Sequence, residues 1–169
     1  MSNQDKPLVT FAVFAYNQEQ FIRQAIAGAF SQTYEPLEII LSDDCSSDRT
    51  FEIMQDMSAN YKGKHSVRIR RNTENLGLAS HINEVMKESN GEIVTWLSGD
   101  DIPIPERTEK LIEPLLYDKK VIAAHSGLTR IDIDGKILGA MPHSQKIKCI
   151  NLDFICRYGT PVVTQSFIF

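Results

Sequence analysis

Four times between residues 8 and 116 a short apolar run gives way to a stretch whose apolar residues recur at helical spacing, and this alternation restricts the fold most. Leu8 to Ala15 (LVTFAVFA) is continuously apolar, β-branched or aromatic, which is how a strand buried on both faces reads. Phe21, Ile22, Ala25, Ile26, Ala29 and Phe30 then mark an amphipathic helix ending near Ser31. Leu37 to Leu41 (LEIIL) is a second buried strand, closed by the turn and cap residues SDDCSSD, and Phe51, Met54 and Met57 share one face of a second helix. Val67 to Ile69 predicts a short strand. Leu78, Ile82, Val85 and Met86 predict a third helix that stops at Asn90-Gly91. Ile93 to Leu97 (IVTWL) is the next strand, closed by SGDDIPIP; Leu111, Ile112, Leu115 and Leu116 form a helical face starting just after Pro105.

Strand and helix in alternation, with crossovers of βαβ length, imply an α/β fold with a mostly parallel sheet covered by helices on both faces. Further on, Val121 to Ala124 reads as a strand, Thr129 to Met141 as a hairpin turning at Asp134-Gly135, and Asn151 to Tyr158 as a short helix. Ser166 to Phe169 (SFIF) is strand-like, and such an apolar end suggests a chain cut within a larger protein. With 169 residues and 42% hydrophobic composition, one core is expected, so residues 1–169 read as a single domain.

The formal charge of -4 argues against a nucleic-acid partner, because affinity for a phosphate backbone comes from clustered Lys and Arg. Cys45, Cys149 and Cys156 are an odd set without a C-x-x-C pair, which predicts neither a disulfide framework nor a zinc knuckle and fits a reducing cytoplasm. No basic segment precedes a long apolar run, and nowhere do eighteen apolar residues follow one another.

In an open parallel sheet, ligands bind outside the carboxyl ends of the strands, where helix N-termini present free N–H groups. Those ends carry Tyr16-Asn17, Ser42-Asp43-Asp44 and Ser98-Gly99-Asp100-Asp101. Two carboxylate pairs on one edge repel unless something positive is held among them, and a divalent cation resolves the conflict. Asp with water and phosphate oxygens is the usual shell of Mg²⁺ or Mn²⁺. Helix capping is the competing role for an Asp-Asp pair. Neither G-x-G-x-x-G after the first strand nor G-x-x-x-x-G-K-[ST] is present, so any nucleotide is expected on side chains and metal.

The string FAYNQEQFIRQAIAGAFSQTYEPLEIILSDDCSSDRT, then NLGLASHIN and NGEIVTWLSGDDIPIPERTEKL, resembles the family 2 glycosyltransferases with the GT-A fold, in order and spacing, from about Val9 to Leu116. The resemblance implies that Tyr16 and Asp44 contact base and ribose, with Asn17, Asp43 and Ser46 in the same motifs. It implies that Asp100 faces ribose or phosphate and, with Asp101, forms the metal site, Asp101 being the principal ligand. Asn75, Gly77 and Asn83 match the element bordering the donor pocket. Ser98 departs from the pattern, since many relatives have Asp there. The resemblance also places the catalytic base beyond Phe169.

These implications describe a metal-assisted, inverting transferase that moves a sugar from a nucleotide-diphosphate donor, of UDP or dTDP type, to a glycan or lipid-linked acceptor hydroxyl in surface polysaccharide synthesis. The full-length protein is then expected in the cytoplasm, with peripheral association at the inner membrane face. Two rival readings are a nucleotidyltransferase, which would be expected to show a Gly-rich basic loop where FAYNQEQF stands, and an inactive relative or fragment that only binds.

His65, His81, His125 and His143 share no metal spacing and are assigned no role. The basic run Lys62, Lys64, Arg68, Arg70 and Arg71 offers itself to a diphosphate or, as such runs usually do, to water. Trp96 is expected in the core. Glu19 is expected either to touch the nucleotide or to cap the first helix.

Overall fold

The computed structural model describes residues 6–140, 148–150 and 167–168. The chain divides into two compact units, residues 1–108 and 109–169. In the first, β1 (Val9–Ala15), β2 (Leu37–Asp43), β3 (Ser66–Arg71) and β4 (Ile93–Ser98) make a wholly parallel sheet in the order β3-β2-β1-β4. Every residue of β1 and β2 is buried, as their apolar runs require of strands with neighbours on both edges. β3 lies at the edge and is half-exposed.

Parallel neighbours in register point their side chains to the same face, so the register sorts the two cores. Ala12, Phe14 and Ile40 face α3 (Leu78–Glu88) through Val85, with Ile82 and Trp96 packed against them. The opposite face carries Phe11, Val13, Ile39 and Leu41, and α1 (Ile22–Phe30) and α2 (Thr50–Asn60) contribute Ile22, Ile26 and Met54 as buried residues on their own inner sides. The parallel α/β architecture is as expected.

Several boundaries differ from the sequence reading, each because pairing overrides local composition. β2 continues to Asp43, which pairs with Ala15 and Arg71, and β3 is extended along β2 to match. On α3 the buried positions are His81 and Val85, while Leu78 and Met86 are exposed. The helix is turned because His81 bonds into the sheet face.

α4 (Arg107–Tyr117) starts in the first unit and buries Leu111 and Ile112. In the second unit β5 (Ala123–His125) pairs antiparallel with β8 (Lys148–Ile150) and β9 (Phe167–Ile168). The hairpin of β6 (Thr129–Ile131) and β7 (Ile137–Ala140) turns at Asp134-Gly135 as expected, with Gly135 at φ +80 and the Asp132 carboxylate accepting from the N–H of Asp134 and Lys136. The helix expected at 151–158 lies outside the described residues, as do Cys156 and His143.

Candidate functional site

Between β1 and β2 the chain steps to one side of β1, and β4 lies on the other, so the strand order switches between β1 and β4. At such a switch the loops leave in opposite directions and a crevice opens at the carboxyl ends. Tyr16 follows β1 there and is 48% exposed. Asn17 follows at φ +52, a conformation Asn tolerates. Its side-chain Oδ1 accepts from Ser47 N at 2.8 Å and its own N–H donates to Ser46 Oγ at 2.9 Å, which ties the β1 and β2 loops together.

Glu19 belongs to the same tie, with a correction to its expected place. Its Oε2 accepts from Arg49 N at 3.0 Å, and its N–H donates to Asp48 at 3.0 Å. It therefore caps the start of α2 and not α1, because the β1 loop lies across the α2 N-terminus. Gln18, which sequence reasoning passed over, donates its N–H to Thr50 Oγ1 at 2.7 Å, and its carbonyl accepts from Phe21 N and Ile22 N. Its side-chain Oε1 sits where a Cβ on Gly99 would stand, 2.4 Å from that position, so the glycine of S-G-D-D makes room for the β1 loop.

At the end of β2 both carboxylates are buried and fully engaged. Asp43 accepts from Ser46 N at 3.0 Å and from the Ser46 hydroxyl, and pairs with Arg71 Nε at 3.0 Å. Asp44 accepts from Asn72 Nδ2 at 2.6 Å, Leu76 N at 3.0 Å and Gly77 N at 3.0 Å. Burial alone would raise the Asp44 carboxyl, but the donors from Leu76, Asn72 and Gly77 outweigh it and hold it below the usual carboxylate range. Asp44 thereby folds the segment 72–77, which carries the expected Asn75 and Gly77. Asn75 Oδ1 bonds Gly77 N at 3.0 Å, and Gly77, at φ +73, opens α3. Asn83 is exposed further along α3, beside an open groove of about 510 Å³ with Ser80, Glu84, Met86 and Lys87, and no described bond joins it to the other candidates.

At the end of β4 the picture is reversed. Asp100 is exposed and bonded to the Ser98 hydroxyl, and Asp101 is half-buried with its carboxylate accepting no hydrogen bond among the described residues. Burial first, and the neighbouring Asp100 charge second, raise Asp101 to about 6 against the pull of Arg107. Arg107 is itself buried, donates to Thr95 Oγ1 at 2.8 Å and Trp96 O at 3.1 Å, and is lowered to about 10 by burial. No three His, Cys, Asp or Glu side chains gather at metal-binding distance among the described residues. The expectation that two acidic pairs together require a cation is thus corrected: protein donors and Arg71 answer the β2 pair, and only the β4 pair is open.

That donor set fits a hard divalent cation. Two adjacent carboxylates leave the remaining positions of an octahedral shell to phosphate oxygens and water, the usual arrangement for Mg²⁺ or Mn²⁺. Lys64 and the three arginines of the basic run are each paired. Arg68 and Arg70 pair with Glu88, Arg68 also lies 3.7 Å from Glu38, and Lys64 pairs with Glu35. Trp96 packs against the core, edge-on to Phe14, as expected.

Known proteins resemble the chain in sequence and in fold. Residues 10–169 match the family described as Glycosyl transferase family 2. Putative glycosyltransferase EpsE of Bacillus subtilis is 29% identical over 140 residues, covering 80% of this chain and 50% of EpsE. An uncharacterized glycosyltransferase of Haemophilus influenzae is 34% identical over 122 residues, covering 72% of this chain and 37% of its own length. The chain spans about half or less of these relatives. Among solved structures, the mannosyltransferase PcManGT from Pyrobaculum calidifontis, in complex with GDP-Man and Mn²⁺, is 25% identical with a TM-score of 0.65 over 76% of this chain and 37% of its own.

Proposed function

Because the chain belongs to glycosyl transferase family 2 and has the GT-A fold, we propose that it holds the nucleotide-diphosphate sugar donor of a metal-assisted sugar transfer. The observation that carries the reading is Asp101: a half-buried carboxylate that accepts no hydrogen bond among the described residues, at the topological switch point whose first loop carries the exposed Tyr16. Asp101 and Asp100 would hold Mn²⁺ or Mg²⁺, which when bound neutralises the charge of the departing diphosphate. Tyr16 offers its ring to the base. Asp43, Asp44, Asn17, Glu19 and Ser46 serve the nucleotide by fixing the loops around it, and Asn75, Gly77 and Asn83 border it.

PcManGT, with GDP-Man and Mn²⁺, supports a nucleotide sugar and a divalent metal and widens the candidate carriers from UDP and dTDP to GDP. We take residues 1–169 as one donor-binding domain, since the family match spans both compact units. Inversion, a base beyond Phe169, and a glycan or lipid-linked acceptor in surface polysaccharide synthesis complete the proposal. So does a cytoplasmic location at the inner membrane face. No helix among the described residues is long and apolar enough to cross a membrane. Calorimetric titration of UDP, dTDP and GDP, with Mn²⁺ and with EDTA, tests the reading. Binding of one carrier that EDTA abolishes is expected; a folded chain that binds none with Mn²⁺ would refute it.

A further inference from the structure

Behind the β2 loop lies a buried histidine that the donor reading does not use. His81 is 2% exposed, with its ring edge-on to Phe14 at 5.0 Å between centroids. Its Nε2 lies 2.5 Å from Ser42 Oγ, and its Nδ1 lies 4.0 Å from Asp44 Oδ2. Ser42 Oγ also receives a hydrogen bond from Arg70 Nη1 at 2.7 Å.

These contacts restrict where the protons sit. Arginine can only donate, so one lone pair of Ser42 Oγ is occupied by Arg70. The hydroxyl keeps its proton and a second lone pair, and His81 Nε2 lies against it. The second lone pair of Ser42 Oγ can equally accept from Nε2–H, so Asp44 makes the choice: its charge, 4.0 Å from Nδ1, favours the ring proton there and leaves Nε2 to accept from the Ser42 hydroxyl. Arg70 is oriented in turn by Glu88 Oε1 at 2.9 Å and Asn72 Oδ1 at 2.8 Å, and Asn72 bonds Asp44. The network thus closes on Asp44 from two sides.

We propose that His81 is a positioning residue: its Nδ1–H faces the Asp44 carboxylate and, backed by Ser42 and Arg70, keeps that carboxylate aimed at the N–H groups of Leu76 and Gly77. The 72–77 segment at the donor pocket is then only as ordered as the His81 tautomer behind it. This inference rests on the donor reading for its functional consequence, and on geometry alone for the loop. The charged groups around the ring are Asp44 and Asp43 from the β2 end and Arg70 from β3. Burial lowers the imidazole below its ordinary range, with Asp44 opposing, which favours the neutral form.

Asn and Gln separate the two ring nitrogens, since an Asn amide reaches the Nδ1 position and a Gln amide the Nε2 position. His81→Asn should retain slow amide exchange at Leu76 and Gly77 and bind UDP or GDP with Mn²⁺ within about threefold of the parent. His81→Gln should speed exchange at both amides about tenfold and weaken nucleotide binding about tenfold, the size of one modest polar contact. Mn²⁺ affinity measured alone should not move in either variant. In the unmodified protein, imidazole ¹⁵N shifts should report a protonated Nδ1 at pH 7.5, a readout that needs no variant to fold. A protonated Nε2, or equal exchange at Leu76 and Gly77 in both variants, would overturn the proposal. If the parent binds no nucleotide while shifts and exchange behave as stated, the positioning stands and the donor reading fails.

Discussion

The ends of β2 and β4 carry the same Asp-Asp dipeptide and opposite electrostatics. At β2, Asp43 and Asp44 are 0% and 3% exposed and each is bonded by the protein; at β4, Asp100 reaches solvent and Asp101 is half-buried with no hydrogen-bond donor among the described residues. Donors lower Asp44, whereas burial and a like charge raise Asp101. A carboxylate that the fold has already satisfied builds the site, and one that it leaves unsatisfied is where a cation gains most. The position of the strands explains the difference: β2 lies between β1 and β3 and receives Arg71 and the 72–77 segment from its neighbour, while β4 borders the switch-point crevice.

The contrast can be broken most severely at Asp44. Asp44→Ala leaves Asn72 Nδ2 and the N–H groups of Leu76 and Gly77 without their acceptor and should cost about 3 kcal/mol in chemical denaturation. A loss below about 1 kcal/mol would mean that the β2 carboxylate is not structural. Gly99→Ala comes next. The added Cβ would meet Gln18 Oε1 at 2.4 Å, Ile22 Cδ1 at 2.8 Å and Ala15 Cβ at 3.0 Å, so a cost of about 1–2 kcal/mol is expected, with weaker nucleotide binding because the β1 loop must shift.

Acid should act on the two ends with opposite sign. Asp101, raised to about 6, favours the protonated folded form, so its contribution to stability is full at low pH and is lost as pH rises through about 6. Asp44 and His81 are both lowered, so their contributions are present at neutral pH and are lost as pH falls. As the proposed metal ligand, Asp101 would bind Mn²⁺ in its ionised form, so Mn²⁺ affinity should drop about tenfold from pH 7 to pH 5, the change in ionised fraction for a group near 6. A pH-independent Mn²⁺ affinity would contradict the assignment of Asp101. The smallest effect is expected at Tyr16. Tyr16→Ala should weaken nucleotide binding by about 1 kcal/mol, as loss of one stacked base does, and leave the melting temperature unchanged.

Much of this arrangement was legible in the sequence, and the reasons it was not wholly so are physical. Continuous apolar runs announced β1, β2 and β4, because a strand buried on both faces has little room for polar side chains. The acidic strand ends were visible for the same reason: each interrupts such a run abruptly. What composition could not show is which distant groups would meet them. Asn72, Leu76 and Gly77 reach Asp44 across 28 to 33 residues, and Arg71 meets Asp43 only through the β2–β3 register. The arginines of the basic run looked free because charge is legible and pairing is not. On the sequence His81 is a lone histidine, and its polar partners meet it only because α3 lies across β2. The one signal in the sequence was its place in the helix: it sits one turn before Val85, on the face that proved to be buried.

The measurement that bears most directly on this division of roles is Mn²⁺ titration by electron paramagnetic resonance on the parent, Asp101→Asn and Asp44→Asn proteins at pH 7.5. Asp101→Asn should weaken Mn²⁺ by tenfold or more without lowering the melting temperature, while folded Asp44→Asn should bind Mn²⁺ as the parent does. Equal Mn²⁺ affinity in the parent and Asp101→Asn, or a loss confined to Asp44→Asn, would contradict that division of roles.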